Sequence, residues 1–218
     1  MKFSRIIANS GEWLSGDGPN RQIVVSSRVR LARNLRNKPF PGWAKKAERL
    51  EVMDLVKSAV EALPEMEESY SEPLESLSPL EKQVLVERHL ISREHAAKAV
   101  GSAVVTNARQ SLSVMINEED HLRMQAICCG LQLGNVFDMI NRVDSELESS
   151  LDFAFDAHLG YLTACPSNVG TGMRASAMLH LPALVMSDQI NKIINSVNKI
   201  GLAVRGLHGE GTEAMGNL

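Results

Sequence analysis

Residues 161–184 read YLTACPSNVGTGMRASAMLHLPAL and combine a cysteine, a glycine-rich turn, an arginine and a strand-like run. Cys165 stands before a proline, and Arg174 follows the turn and heads a run that predicts a strand through Leu181. Taken alone, the stretch has two interpretations: an ordinary turn with a solvated arginine, or part of a binding site. Three other segments also carry arginines and carboxylates, and these favour the interpretation as part of a binding site.

The composition is that of an ordinary globular protein in a reducing compartment. The 218 residues are 44% hydrophobic and 22% charged, and the net charge of -3 gives no overall attraction to nucleic acid. No apolar run is long enough to span a membrane, and the N-terminus is too short and polar for a signal peptide. The three cysteines, two of them adjacent, have neither metal-ligand nor disulfide spacing. We therefore expect a cytoplasmic protein without nucleic-acid or membrane partners.

Hydrophobic periodicity and turn signals predict a mixture of helices and strands. Helices are expected at 45–63, at 79–90 after a capping box that begins at Ser78, at 92–98, at 131–151, and after Ser187 as a cap. Strands are expected at 23–25, 103–106, 112–116, 174–181 and 202–204. The acidic segment 65–75 predicts a solvated loop.

Two arginines belong to the segment that begins at Ser26, directly after the first predicted strand. Arg28 and Arg30 are two positions apart, so in an extended chain both side chains project from one face, which Arg33 need not share. The cluster is a binding element, a solvated basic edge or a nucleic-acid patch. The lack of interleaved aromatic residues and the negative net charge argue against the nucleic-acid patch.

Further along, three carboxylates stand in a row before an arginine, in the segment NEEDHLR at 117–123. This segment is either a solvated tip or an ion-binding rim. If the rim binds a guanidinium group, two carboxylates would orient it and one would accept its proton. Glu119 and Glu210 are the candidates for this pair.

Five arginines are expected at or beside strand ends: Arg28, Arg30, Arg123, Arg174 and Arg205. Guanidinium groups keep their charge and match phosphate oxygens in bidentate geometry, so a convergent set suits a nucleoside triphosphate. No Walker or protein-kinase glycine loop is present, so side-chain charge would hold the phosphates. Mg²⁺ would bridge those phosphates and needs few protein ligands.

Three other side chains have open roles. Cys165 is either a thiolate that helps to orient a guanidinium or a packed thiol. His89 either contacts a phosphate or caps the preceding helix. Cys128 and Cys129 are expected to be structural.

The segments SSRVRLARN (26–34), NEEDHLR (117–123) and CPSNVGTGMRASAMLHLPAL (165–184) together resemble the phosphagen (guanidino) kinase superfamily. VLVERHLIS (84–92) and GLAVRGLHGEGTEAMGN (201–217) are most similar to its bacterial branch, the protein arginine kinases. The resemblance extends from about residue 18 to residue 218. It implies an α+β catalytic domain with a large, mainly antiparallel sheet flanked by helices, formed here by residues 1–218 with a short lead at 1–20.

The resemblance also implies the site residues. It makes Glu119 and Glu210 the guanidinium-binding pair, with Glu119 as the base, and Cys165 the active-site cysteine. The positions that it implies for ATP binding are Ser26, Ser27, Arg28, Val29, Arg30, His89, Arg123, Arg174, Ala175, Ser176, Ala177, Met178, Arg205, Gly206, Leu207, His208, Gly209 and Glu210.

The implied activity is transfer of the γ-phosphoryl group of ATP, with Mg²⁺, to arginine side chains in proteins. Implied partners are protein substrates with exposed arginines, a zinc-binding activator protein and a Clp-type protease for which phosphoarginine is a mark. Family members continue past the segment that matches 216–218, so we expect a sheet incomplete at its C-terminal end and no dimerisation domain. Two alternatives remain: a kinase of a free guanidino metabolite such as arginine, and a truncated, non-catalytic module that binds nucleotide or arginine.

Overall fold

The central feature of the fold is an antiparallel sheet, which we describe from a computed structural model covering residues 1–205. The strands of this part of the chain are β1 (Val24–Arg33), β2 (Tyr70–Pro73), β3 (Ala103–Thr106), β4 (Leu112–Ile116), β5 (Leu122–Cys129), β6 (Phe155–Asp156), β7 (Gly160–Tyr161) and β8 (Met173–Leu179). Six of them form one sheet in the order β2-β3-β4-β5-β1-β8. β6 and β7 pair separately as a small hairpin.

Helices flank this sheet. They are α1 (Phe3–Ala8), α2 (Lys46–Glu61), α3 (Pro79–Glu87), α4 (Arg93–Ala96), α5 (Leu133–Ser150), α6 (Pro182–Met186) and α7 (Ile190–Lys199). Short 3-10 helices lie at Glu12–Leu14, Pro64–Met66, Leu74–Ser76 and Pro166–Asn168.

The two faces of the sheet are covered differently, and the difference creates the site. On one face, α2 and α5 bury an apolar core together with side chains such as Val29 and Leu31 of β1. On the other face, α1 and α3 cover only the side near β2, β3 and β4, around Tyr70 and Leu85. The rest of this second face, formed by β5, β1 and β8, borders a cleft.

The predicted fold class is confirmed, as are the main helices. α2 and α5 lie within the predicted segments 45–63 and 131–151. The capping box is present, because Ser78 Oγ accepts a hydrogen bond from the Glu81 N–H while the Glu81 carboxylate accepts one from the Ser78 N–H. Local signals were sufficient here because each helix carries its own apolar stripe or cap.

The predicted loop at 65–75 is wrong. Tyr70–Pro73 is an edge strand of the large sheet, and Met66, Tyr70 and Leu74 are buried. The acidic residues between them suggested a solvated segment, but an edge strand tolerates charge and proline on its open side. The burial of these three apolar side chains stabilises the strand more than the nearby charges destabilise it.

Four smaller points also need correction. β5 was not foreseen, and the first strand is longer than 23–25 because the arginine segment continues it to Arg33. Ser187 follows α6 as its C-terminal cap, and α7 begins after Gln189. Leu202–Val204 has no regular secondary structure.

Candidate active site

Four of the five predicted arginines border one cleft of about 570 Å³ on the open face of the sheet. Glu119, Cys165 and His89 border the same cleft. The predicted residues that line it are Arg28, Arg30, His89, Glu119, Arg123, Cys165 and Arg174. Residues up to 146 positions apart in sequence (28 to 174) thus face one volume.

Strand register explains how the arginines converge. Arg30 on β1 pairs with Arg174 on β8, and Ala32 pairs with Arg123 on β5. Arg28 lies two residues before Arg30 and therefore shares its face. Like charges directly opposite one another in a sheet are destabilising, so the Arg30–Arg174 pair favours an anion between them.

The pKa shifts of Arg28 and Arg30 have burial as their main cause and the neighbouring positive charges as the second. Burial, with repulsion from Arg123 and Arg174, lowers the pKa of Arg28 to about 10. Burial, with repulsion from Arg28, Arg123 and Arg174, lowers the pKa of Arg30 to about 8, although Glu118 opposes this shift. A bound polyphosphate would remove this cost because each guanidinium would gain a negative partner.

Glu118 is the counter-ion of Arg123 and was missed by the sequence analysis. Its two carboxylate oxygens accept hydrogen bonds from Arg123 Nη1 at 2.6 and 2.7 Å, and Ser92 Oγ donates to Oε1 at 2.6 Å. Burial would raise the pKa of Glu118, but the charge and hydrogen bond of Arg123 outweigh it and lower the pKa. Glu118 thereby fixes Arg123 at the cleft wall.

Asp120 and His121 hold the turn that carries Glu119. Asp120 Oδ1 accepts hydrogen bonds from Asn34 Nδ2 at 2.6 Å and from the Ala164 N–H at 2.7 Å. The Leu35 N–H donates to His121 Nδ1 at 3.0 Å. These buried bonds join the end of β1, the turn after β4 and the loop of Cys165 into one unit.

Glu119 is the exposed carboxylate of this turn, between two buried ones. Partial burial, with the negative charges of Asp120 and Glu118, raises its pKa, while Arg123 and Arg174 oppose the shift. A carboxylate with a raised pKa is a stronger base once ionised, which suits proton acceptance from a guanidinium. Arg123 lies between this carboxylate turn and the other arginines of the cleft.

Cys165 begins the 3-10 helix Pro166–Asn168 at the edge of the cleft and is half-buried. Its Sγ lies 3.0 Å from Ser167 Oγ, close enough for a hydrogen bond. Cys128 and Cys129 are buried free thiols in β5, as their structural interpretation predicted.

His89 follows α3 and is fixed from two sides. Its ring makes an edge contact with the buried Trp13 ring at 4.8 Å between centroids, and its backbone oxygen accepts a hydrogen bond from Gln125 Nε2. Its φ of 56° is a left-handed conformation that is uncommon outside glycine. Here it ends α3, because the His89 N–H donates to the Val86 oxygen and the Leu90 N–H donates to the Leu85 oxygen, the usual pattern of a helix C-terminus with one left-handed residue.

Several implied ATP-binding residues do not border the cleft. Ser26, Ser27 and Val29 are buried in β1, and Ser27 Oγ bonds to the Gly130 oxygen and the Gln132 N–H instead. Ala175 and Ala177 project from the opposite face of β8, while Ser176 and Met178 share the face of Arg174 beyond the cleft residues. The implied role of these residues in ATP binding stays a prediction.

The C-terminal part of the prediction is mostly outside the described residues. Arg205 is exposed at the end of the described chain and is not among the cleft residues. Gly206, Leu207, His208, Gly209 and Glu210 lie beyond residue 205. The predicted pairing of Glu119 with Glu210 stays a prediction.

Residues 1–205 contain no group of three metal-binding side chains close enough to hold an ion. Within the same range no helix has the length and apolarity needed to cross a membrane.

Comparisons with known proteins agree with this geometry. Residues 51–218 match the sequence profile of the family described as ATP:guanido phosphotransferase, C-terminal catalytic domain. A protein-arginine kinase of Moorella thermoacetica is 46% identical over 215 residues, which are 97% of this chain and 61% of that protein. A protein-arginine kinase of Pelotomaculum thermopropionicum is 50% identical over 94% of this chain and 59% of its own length. The chain thus spans less than two thirds of these relatives.

Solved structures show the same fold. The duplicated taurocyamine kinase of Schistosoma mansoni, with bound transition state analog components, superimposes with a TM-score of 0.80 at 28% identity. That match covers 90% of this chain and 29% of the kinase. Lombricine kinase superimposes with a TM-score of 0.77 at 25% identity, over 96% of this chain and 62% of its own.

Proposed function

The chain belongs to the ATP:guanido phosphotransferase family, and from this premise we propose that it is the catalytic part of a protein-arginine kinase. It would transfer the γ-phosphoryl group of ATP to the guanidinium of arginine side chains in proteins. The observation that carries the proposal is the single cleft in which Arg28, Arg30, Arg123 and Arg174 meet Glu119 and Cys165.

In this proposal the arginines bind the phosphates and stabilise the charge that spreads over the transferred group. Phosphoryl transfer depends mostly on such positioning and electrostatic stabilisation. Mg²⁺, when bound, neutralises phosphate charge. It would arrive with the nucleotide, because a magnesium ion bound through phosphates and water needs few protein ligands.

Glu119 acts at the acceptor end. It holds the target guanidinium and accepts a proton from the nitrogen that attacks the γ-phosphorus. A nitrogen–phosphorus bond forms, the bond between the γ-phosphorus and the bridging oxygen breaks, and ADP leaves with that electron pair. Glu210 is proposed as the second carboxylate, and Cys165 as a further contact of the guanidinium. The ordinary arginine pKa above 12 makes a positioned base necessary.

The identity of the acceptor as a protein rests on the named protein-arginine kinases, which are 46% and 50% identical to this chain. We also propose two protein partners. One is a zinc-binding activator protein, and the other is a Clp-type protease that degrades proteins marked by phosphoarginine. A second candidate acceptor is a free guanidino compound, favoured by the fold shared with kinases named for taurocyamine and lombricine.

Product identification separates the two candidates. The purified chain is incubated with ATP and Mg²⁺, together with a denatured protein or with free arginine, and acid-labile phosphoarginine is measured by mass spectrometry. Phosphoarginine in the protein supports the proposal. Phosphorylation of free arginine alone supports the second candidate, and product in neither reaction favours a non-catalytic binding module.

A further inference from the structure

An aromatic segment borders the cleft and has no part in the mechanism above. Phe40, Gly42 and Trp43 line the cleft, and Trp43 is 88% exposed. A ligand that covered this side chain would gain free energy, because apolar surface would be removed from water. The other tryptophan, Trp13, is 7% exposed and packs inside the protein.

The exposure of Trp43 does not come from a loose backbone. Its N–H and that of Ala44 both donate to the Phe40 oxygen, at 2.9 and 3.0 Å. Ala44 is buried, and its oxygen accepts a hydrogen bond from Arg49 Nη1 at 2.8 Å. A fixed turn therefore presents the indole to solvent.

Hydrogen bonds also show which end of the cleft this turn occupies. His121 Nε2 donates to the Pro39 oxygen at 3.0 Å, and His121 lies two residues after Glu119 in the turn before β5. β5 leads away from this turn alongside β1. Arg123, close to the turn, pairs with Ala32, whereas Ile127, further along β5, pairs with Arg28. The aromatic segment is thus at the acceptor end, away from Arg28.

We propose that Phe40 and Trp43 form a binding surface for the polypeptide on either side of the target arginine. This inference rests on the proposed function, because it names the part of the substrate that the site recognises beyond the guanidinium. Free arginine bound at Glu119 has no residues beyond its own backbone. A peptide has further residues on both sides of the target arginine, and these would extend out of the cleft and cover the indole of Trp43. Tryptophan is enriched among residues that dominate binding energy at protein interfaces.

Charged groups that border the cleft can contact the same occupant. Glu94 and Glu119 border it together with Arg93 and Lys98, so a peptide finds ion-pair partners of either sign beside the aromatic face. An arginine side chain stacks on an indole through a cation–π contact and pairs with carboxylates. The surface therefore fits unfolded, arginine-containing chain segments.

The test measures peptide binding directly and needs no turnover. The probe is a fluorescently labelled, unstructured peptide with one central arginine, and the reference peptide has citrulline in its place, which removes the charge. Its affinity is measured by anisotropy for the wild-type chain, Trp43→Ala, Trp43→Phe and Leu80→Ala. Leu80 is the control because it is 70% exposed on α3 and is not a cleft residue.

We expect Trp43→Ala to weaken binding of the arginine peptide by about tenfold, with Trp43→Phe in between and Leu80→Ala unchanged. ATP affinity should be the same in all four proteins. The inference is overturned if Trp43→Ala binds the peptide like the wild type, or if it loses ATP affinity instead. A wild-type chain that binds the peptide through Trp43 but forms no phosphoarginine contradicts the proposed function and leaves this binding surface supported.

Discussion

The Oδ1 atom of Asp120 lies 2.7 Å from the backbone nitrogen of Ala164 and accepts its hydrogen bond. Asp120 directly follows Glu119, and Ala164 directly precedes Cys165. One buried carboxylate thus connects the proposed base with the loop of the proposed active-site cysteine. The same oxygen accepts the Asn34 amide at 2.6 Å and so adds the end of β1 to the unit.

We predict that Asp120→Ala lowers kcat by about 10²-fold, because small displacements of positioned groups have effects of this size. ATP affinity should change little, since Asp120 does not belong to the arginine cluster. Asp120→Asn, which can keep an oxygen at the same place, should recover part of the loss. Steady-state kinetics on a protein substrate measure this, with Asp138→Ala on the exposed side of α5 as the control. A matched fall in ATP affinity, or no recovery by Asn, would contradict a positioning role.

Arg30→Ala should affect ligand binding and stability in opposite directions. Removal of a charge-assisted phosphate contact should weaken ATP binding by about 10- to 100-fold. Without ATP the variant should be as stable as the wild type or more so, because Arg30 is repelled by Arg28, Arg123 and Arg174. Isothermal titration calorimetry and urea unfolding check the two parts, and Arg36→Ala, in an exposed ion pair with Asp152, is the control. Unchanged ATP affinity in Arg30→Ala would discredit the arginine cluster as a phosphate site.

Asp144→Asn should destabilise the fold without a direct effect on the cleft. Arg33 Nη2 lies 2.6 Å from Asp144 Oδ2, both side chains are at most 9% exposed, and the guanidinium also stacks on Tyr161 at 3.5 Å. Removal of one partner of a buried pair costs about 3–5 kcal/mol, against about 1 kcal/mol or less for an exposed pair. The free energy of unfolding in urea measures the loss, and Asp152→Asn in the exposed pair with Arg36 is the matched control. Equal losses of unfolding free energy in Asp144→Asn and Asp152→Asn would contradict the expected difference between the buried and the exposed ion pair.

Stability should fall as the pH decreases from 6.5 towards 4, in part because of His95. Burial lowers the pKa of His95 from 6.5 to about 4, although the Ala103 oxygen and Glu118 oppose the shift. In that interval the unfolded chain binds a proton at His95 that the folded chain does not, so acid favours unfolding. The slope from one such group is at most about 1.4 kcal/mol per pH unit. His95→Gln should reduce the slope of unfolding free energy against pH, and an identical slope in the variant would rule out this assignment.

The sequence predicted those parts of the fold and of the site that depend on local geometry. Arg28 and Arg30 share a face because a strand alternates, and Ser78 and Glu81 form a capping box because they are three residues apart. Burial was harder to predict from the same pattern. Ser26 shares the face of Arg28 in the same strand and is nevertheless buried away from the cleft.

The positioning network could not be predicted, because its members are distant in sequence. Asn34 and Ala164 are 86 and 44 residues from Asp120, and no local pattern links them. The sequence pattern treats the three neighbouring carboxylates at 118–120 as one group, either a solvated tip or an ion-binding rim. In the structure each has its own environment: Glu118 pairs with Arg123, Asp120 accepts N–H groups, and Glu119 faces the cleft.

The comparison of wild type with Glu119→Gln tests the central proposal most directly. Transfer of label from γ-labelled ATP to arginine in an unfolded protein is followed for both proteins, with ATP affinity measured in parallel. We predict labelled phosphoarginine with the wild type and a rate at least about 10²-fold lower with Glu119→Gln at similar ATP affinity, because the amide cannot accept the proton. Equal rates for the two proteins would contradict the account.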